Sequence, residues 1–124
     1  MRVSGEVRTT KDREAQAAIG DYAIIGDCRT AALVSRRGSI DWYCLPRFDG
    51  PSVFGALLDP DAGRFSIVAD AVRHASRRYL PDTNVVETTF HCDGGTARLT
   101  DAMTVPRHPE DRRDLYPDHE ILRR

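Results

Sequence analysis

The chain has 124 residues, a length that predicts one domain. Eighteen Lys and Arg against 19 Asp and Glu leave a net charge of -1, which argues against a nucleic-acid binder and rules out a polybasic or strongly acidic tail protein. With 40% hydrophobic and 30% charged residues it is slightly lean in apolar side chains, without the composition of a disordered chain.

No apolar run approaches the roughly 20 residues that a membrane helix needs. Arg2, Glu6, Arg8, Lys11, Asp12, Arg13 and Glu14 interrupt the region where a signal peptide carries its apolar stretch. The expected compartment is therefore the cytoplasm. Cys28, Cys44 and Cys92 are odd in number and widely spaced, which fits reduced thiols better than a disulfide framework.

Residues 1–18 are polar and lack aromatic side chains. They read either as a short helix over Lys11–Ala18, capped by Thr10 and stopped by Gly20, or as a mobile tail. From Tyr22 onward the punctuation is that of strands. Tyr22–Ile25 is a short apolar strand closed by Gly26-Asp27, and Thr30–Ser35 is another. Arg36-Arg37-Gly38 makes a tight turn in which Gly38 supplies the positive φ. Ser39–Cys44 returns with Ile40, Trp42 and Cys44 on one face and Asp41 and Tyr43 on the other.

Leu45–Gly50 is a loop. Pro51 then opens an expected short helix over Ser52–Leu58, with Val53, Phe54, Leu57 and Leu58 on one side. Asp59–Gly63 is a turn. Arg64–Ala69 reads as a strand with Phe65 and Ile67 on one face. Val72–Leu80, rich in arginine, reads as an edge or exposed strand. Asn84–Cys92 and Thr96–Val105 flank Asp93-Gly94-Gly95, a strong hairpin signal. Pro106–Pro117 is loop, and His119–Arg124 begins one more strand. About seven short strands with one short helix predict an all-β fold, an antiparallel sandwich or barrel.

One stretch is more specific than any composition. Ile19-Gly20-Asp21-Tyr22-Ala23-Ile24-Ile25-Gly26-Asp27-Cys28-Arg29-Thr30 leads through Ala31–Val34 into Gly38-Ser39-Ile40-Asp41-Trp42-Tyr43-Cys44-Leu45-Pro46-Arg47-Phe48-Asp49. Pro51-Ser52-Val53-Phe54, Gly63-Arg64-Phe65, Arg78–Val85, Arg98-Leu99-Thr100-Asp101 and His119–Arg124 follow in order. Together these segments resemble the N-terminal, trehalase-like domain of bacterial glycoside hydrolase family fifteen, the glucoamylase and α,α-trehalase group. The resemblance covers residues 19–124, as an incomplete domain behind a polar tail over 1–18.

The resemblance implies an antiparallel β-sandwich, part of a supersandwich, that packs on a catalytic α/α toroid in cis or in trans. It implies hydrolysis of an α-glucosidic bond with inversion, by two carboxyls on opposite faces of the sugar. In the family both are glutamates of the toroid. None of Glu6, Glu14, Glu87, Glu110 and Glu120 matches them, so the chain alone is expected to be inactive. Two alternatives are a free-standing carbohydrate-binding module and a protein-interaction module. The strand begun at His119 is expected to leave a neighbouring edge unpaired, making the isolated chain marginally stable and prone to self-association.

Trp42, Arg47, Phe48 and Asp49 form the most suggestive cluster. Aromatic rings stack on sugar faces, and in the family the loops of this domain approach the mouth of the toroid, so Leu45–Gly50 is a candidate border of a glucoside site. The plainer reading puts Trp42 in the core and uses Arg47-Asp49 to tie the loop. Asp27, Arg29 and Asp41, polar among apolar neighbours, read as a structural network. Asp101 stands in the row Ala97, Leu99, Asp101, Met103, Val105, where an apolar residue is expected. It marks a bulge, an interdomain contact or a site residue. Cysteines and histidines at Cys28, Cys44, Cys92, His74, His91, His108 and His119 lack ligand spacing, so core thiols and surface histidines are expected, with no metal and no cofactor.

Overall fold

Short β-branched and aromatic runs between turn residues form nine strands among the described residues, in a computed structural model that describes residues 17–105 and 119–124. β1 (Tyr22–Gly26), β2 (Ala31–Ser35), β3 (Ser39–Cys44) and β4 (Ser52–Phe54) pair in that order, and β5 (Phe65–Ser66) pairs with the start of β3. β6 (Val72–Tyr79), β7 (Val86–Cys92), β8 (Gly95–Met103) and β9 (Ile121–Arg123) make the second sheet. Every pairing is antiparallel, and the two sheets form the expected sandwich.

The two hairpin turns follow their sequences. Gly38 has φ +81, and a Cβ there would lie 2.3 Å from the Ile67 carbonyl oxygen, so glycine is required on both counts. Asp93-Gly94 closes β7 on β8 with Cys92 opposite Gly95. β6 is an edge strand, as its polarity predicts.

Three expectations are corrected. No helix forms over Ser52–Leu58. Ser52 and Phe54 instead pair with β3, Phe54 stacks on Tyr43 at 6.4 Å between centroids, and Leu58 is 74% exposed. β-branched and aromatic side chains beside an open strand edge favour the sheet over a single helical turn. The strand expected over Arg64–Ala69 shortens to β5. The phase of β3 also changes midway. Leu33 pairs with Trp42 but Val34 pairs with Ile40, so Asp41 is an extra residue, a β-bulge. One inserted residue moves the following side chains to the other face. Ile40 and Tyr43 therefore both face the core, and Trp42 does not.

The expected loop over Pro106–Pro117 lies outside the described residues. So does most of the expected helix over Lys11–Ala18; Ala18 itself is extended, ahead of a 3₁₀ turn at Ile19–Asp21.

Ala23, Ile25, Ala32, Val34, Ile40 and Tyr43 from the first sheet meet Val86 and Met103 from the second, with Leu45, Phe54 and Ile121 against them. Side chains of the second sheet also stitch the first. The Tyr79 hydroxyl donates to the Ile24 carbonyl and accepts from the Ile24 amide, both at 2.9 Å. Asn84 donates to the Gly26 carbonyl at 2.9 Å, and Arg77 donates to the carbonyls of Asp21 and Val34 at 2.7 and 3.0 Å. The contacts to Ile24 and Gly26 occupy the outer edge of β1, which would otherwise offer unpaired backbone groups to another chain.

Candidate functional site

The β1–β2 connection and the β3–β4 loop meet at one end of the first sheet. Asp27 organises the former: its Oδ1 accepts from the amides of Arg29 and Thr30, both at 2.9 Å. This turn, built on an aspartate side chain, leaves Cys28 in the left-handed region at φ 69, exposed. The Thr30 hydroxyl donates to the Cys44 carbonyl at 2.5 Å, which anchors the turn to the end of β3. The Arg29 carbonyl accepts from the Phe48 amide at 3.1 Å, which brings the second loop alongside.

That second loop is fixed by its own backbone. Leu45 donates to the Pro51 carbonyl at 3.1 Å and Gly50 to the Arg47 carbonyl at 2.9 Å. A Cβ on Gly50 would sit 2.2 Å from the Leu45 carbonyl oxygen, so the turn closes only around glycine. Arg47 and Asp49 pair at 3.3 Å, both largely exposed, and such a pair orients the loop more than it stabilises the fold. Phe48 is 60% exposed between them. An open cleft of about 430 Å³ lies here, lined by Cys28, Arg29, Arg47, Phe48 and Asp49. An exposed ring flanked by two guanidiniums and a carboxylate can pack on an apolar sugar face while exchanging hydrogen bonds with its hydroxyls.

The remaining candidates lie elsewhere. Trp42 sits half-buried on the outer face of β3, away from the core, with Leu33 and not the loop as its cross-strand partner. Asp27, Arg29 and Asp41 are divided between two arrangements. Asp27 and Arg29 share the turn just described. Asp41 is buried and accepts from the hydroxyls of Tyr22 at 2.7 Å and Ser39 at 2.5 Å, with Arg64 at 4.0 Å. Burial, and then the Asp41 carboxylate, push the Tyr22 phenol up to about 12. Asp101 is fully buried in β8 and forms an ion pair with Arg123 of β9 at 2.7 Å.

Two functional partners were not singled out in the sequence. His119, expected at the surface, instead places Nδ1 2.5 Å from Asp27 Oδ2, with its side chain only 10% exposed. The Tyr43 hydroxyl also donates to the His119 carbonyl. Burial alone would raise the Asp27 carboxyl; hydrogen bonds from Thr30, Arg29 and His119 outweigh it and hold the group below its ordinary value. Arg123 is the other. Of the thiols, Cys44 is buried but Cys28 is exposed, against the expectation of core thiols throughout. Among the described residues no group of three or more His, Cys, Asp or Glu side chains converges as a metal site would require. No helix among them is long and apolar enough to cross a membrane.

A two-sheet antiparallel sandwich with a polar loop cluster at one end, and its buried carboxylates committed to fixed partners, has the form of an accessory β-domain. Comparison with known proteins makes this specific. Residues 7–112 match the family described as trehalase-like, N-terminal, and the chain belongs to that family. It is 44% identical over 97 residues to a trehalase of Mycolicibacterium smegmatis and 43% identical over 97 residues to a trehalase of Mycobacterium tuberculosis, each match covering 77% of this chain and 14% of the relative. It is 47% identical over 83 residues to trehalase 1 of Sulfolobus acidocaldarius, covering 65% of this chain and 14% of that protein. The aligned part of the chain thus spans about one seventh of the length of these curated relatives. No solved structure matches significantly.

Proposed function

We propose that the chain is the non-catalytic N-terminal domain of a trehalase, and that its loops over 26–30 and 45–50 border the sugar site of an α/α-toroid catalytic part. The observation that carries this is the state of the carboxylates. Inverting hydrolysis needs a protonated acid and a carboxylate base about 6.5–9.5 Å apart, with room for a water between them. The buried carboxylates among the described residues are Asp27, Asp41, Glu87 and Asp101. Asp27 is held by backbone amides and His119, Asp41 by Tyr22 and Ser39, Glu87 by Arg78 and Arg98, and Asp101 by Arg123. Each is bound in place as a structural anion, and the loop cluster offers an aromatic ring and hydrogen-bonding groups without an acid and base pair.

Trehalose is the favoured substrate of the whole protein over maltooligosaccharides, because the relatives above carry the name trehalase. A cytoplasmic setting is supported by three free cysteines, one of them exposed. The test is direct. The chain alone is expected to hydrolyse neither trehalose nor maltose. A chimera carrying it in place of the matched segment of the M. smegmatis trehalase is expected to hydrolyse trehalose, and Phe48→Ala in that chimera to raise KM. Turnover by the repurified chain above a vector-only control overturns the reading.

A further inference from the structure

The two outer faces of the sandwich differ in chemistry. β1, β2, β3 and β4 contain one charged residue between them, Asp41, and it is buried. The core of this sheet is built from Ala23, Ile25, Ala32, Val34, Ile40 and Tyr43. Because successive strand residues point to opposite sides, the residues between these face outward. They form a cross-strand row: Ile24 opposite Leu33, and Leu33 opposite Trp42. Val53 lies on the neighbouring strand β4 as the unpaired residue of a second bulge, between Ser52 opposite Cys44 and Phe54 opposite Tyr43. Ile24 is 51% and Val53 47% exposed, while Leu33 and Trp42 are half-buried without touching the core.

The second sheet presents the opposite surface. Its outward positions include His74, Ser76 and Arg78 on β6, Glu87, Thr89 and His91 on β7, and Thr96, Arg98 and Thr100 on β8. Glu87 pairs there with Arg78 at 2.8 Å and Arg98 at 3.6 Å. An antiparallel sheet exposed to water carries polar side chains on its open face, as this one does apart from Ala102 and Leu122 at its β9 edge. A contiguous apolar row across β1, β2 and β3 is instead the mark of a covered face.

We infer that the outer face of the first sheet, centred on Leu33 and Trp42, is where this domain docks on the rest of a trehalase polypeptide, while the outer face of the second sheet stays in water. The inference rests on the trehalase reading and adds the docking face to it. The occupant follows from two facts: the row is apolar and uncharged, and the matched relatives are about seven times as long as the aligned segment. The row also lies on the sheet whose end carries the 45–50 loop, so docking here brings that loop to the partner.

Hydroxyl-radical footprinting of the isolated chain and of the full-length M. smegmatis chimera tests this. Labelling of Ile24, Leu33 and Trp42 should fall severalfold in the chimera, and that of His74 and His91 should hold. Leu33→Asp supplies a second readout. It should lower the melting temperature of the isolated chain, where Leu33 is only partly covered, by less than that of the chimera. Thr89→Asp, on the other outer face, should leave the difference between the two proteins as in wild type. Equal labelling of Trp42 in both proteins, or loss of stability from Leu33→Asp in the isolated chain alone, overturns the docking face. Trehalose hydrolysis by the chimera reports separately on the trehalase reading. An active chimera with an unprotected face refutes only the docking site, and an inactive one with a protected face refutes only the enzyme assignment.

Discussion

Replacing Asp101 with alanine should cost more than any surface change in this chain. The carboxylate is fully buried, and the Arg123 side chain is 2% exposed. Arg123 donates to Asp101 Oδ1 at 2.7 Å and Oδ2 at 3.4 Å, to the Phe65 carbonyl at 2.6 Å and to the Gly38 carbonyl at 2.8 Å. Its guanidinium also lies 4.8 Å from the centre of the Phe65 ring. One cation therefore joins β8 and β9 to the β2–β3 turn and β5 of the other sheet. Asp101→Ala strands that cation in the interior, at about 3–5 kcal/mol, and Arg123→Met strands the anion at a similar cost. Additive losses would reach about 6–10 kcal/mol in the double variant, as much as a typical domain holds. The double variant Asp101→Ala and Arg123→Met, however, leaves no buried charge. Its loss stays below about 3 kcal/mol, because the Gly38 carbonyl keeps the Ile67 amide at 3.0 Å and the Phe65 carbonyl can bond to water. Urea unfolding followed by the fluorescence of Trp42, the sole tryptophan, and by circular dichroism measures all three variants. The double variant should unfold no more easily than the worse single one. Strict additivity, or a loss below about 1 kcal/mol in Asp101→Ala, would refute the account of a buried, mutually dependent pair.

Two predictions concern pH. The Asp27 carboxyl is held below its ordinary 3.8, so its contribution to stability is present above that pH and is lost as pH falls through the lower folded value. Acid titration of the melting temperature should therefore show a drop below pH 3.8 that Asp27→Asn flattens, and an unchanged slope in that variant would reject the assignment. Tyr22 behaves with the opposite sign. Its folded value is raised from 10.0 to about 12, so its contribution is complete below pH 10 and is lost as pH rises through about 12. Ultraviolet titration should show a late phenolate component near pH 12 that disappears in Tyr22→Phe; a titration that stays identical in the variant would refute the bond to Asp41.

Much of the fold was legible because its signals are local. The Arg36-Arg37-Gly38 and Asp93-Gly94-Gly95 turns, the β7–β8 hairpin and the edge character of β6 each follow from a few adjacent residues. The errors arose where a local pattern met a long-range partner. Ser52–Leu58 has helical spacing and a leading proline, yet the edge of β3 takes up Ser52 and Phe54 as a strand and leaves only a turn closed on the Gly55 carbonyl. Strict alternation placed Trp42 beside Ile40, and nothing in the sequence marks Asp41 as the inserted residue. The bulge shows only when Leu33 and Val34 are seen to pair with Trp42 and Ile40.

The candidate site divides along the same line. Arg47, Phe48 and Asp49 are neighbours in sequence, and the loop that holds them does gather them around one cleft with Cys28 and Arg29. The network expected of Asp27, Arg29 and Asp41 separates, because each carboxylate is answered from a distance. His119 reaches Asp27 across 92 positions, and Tyr22 reaches Asp41 across 19. These distant partners decide what the carboxylates can do. Asp27, fixed through Oδ1 to the turn and through Oδ2 to His119, cannot swing toward a ligand without releasing both the β1–β2 connection and the approach to β9. Its charge is spent on shaping the loop that presents Cys28 and Arg29. On the function proposed above, contact with a sugar would fall to the exposed side chains of the 45–50 loop, above all Phe48, the member of the cleft with a large apolar surface open to water.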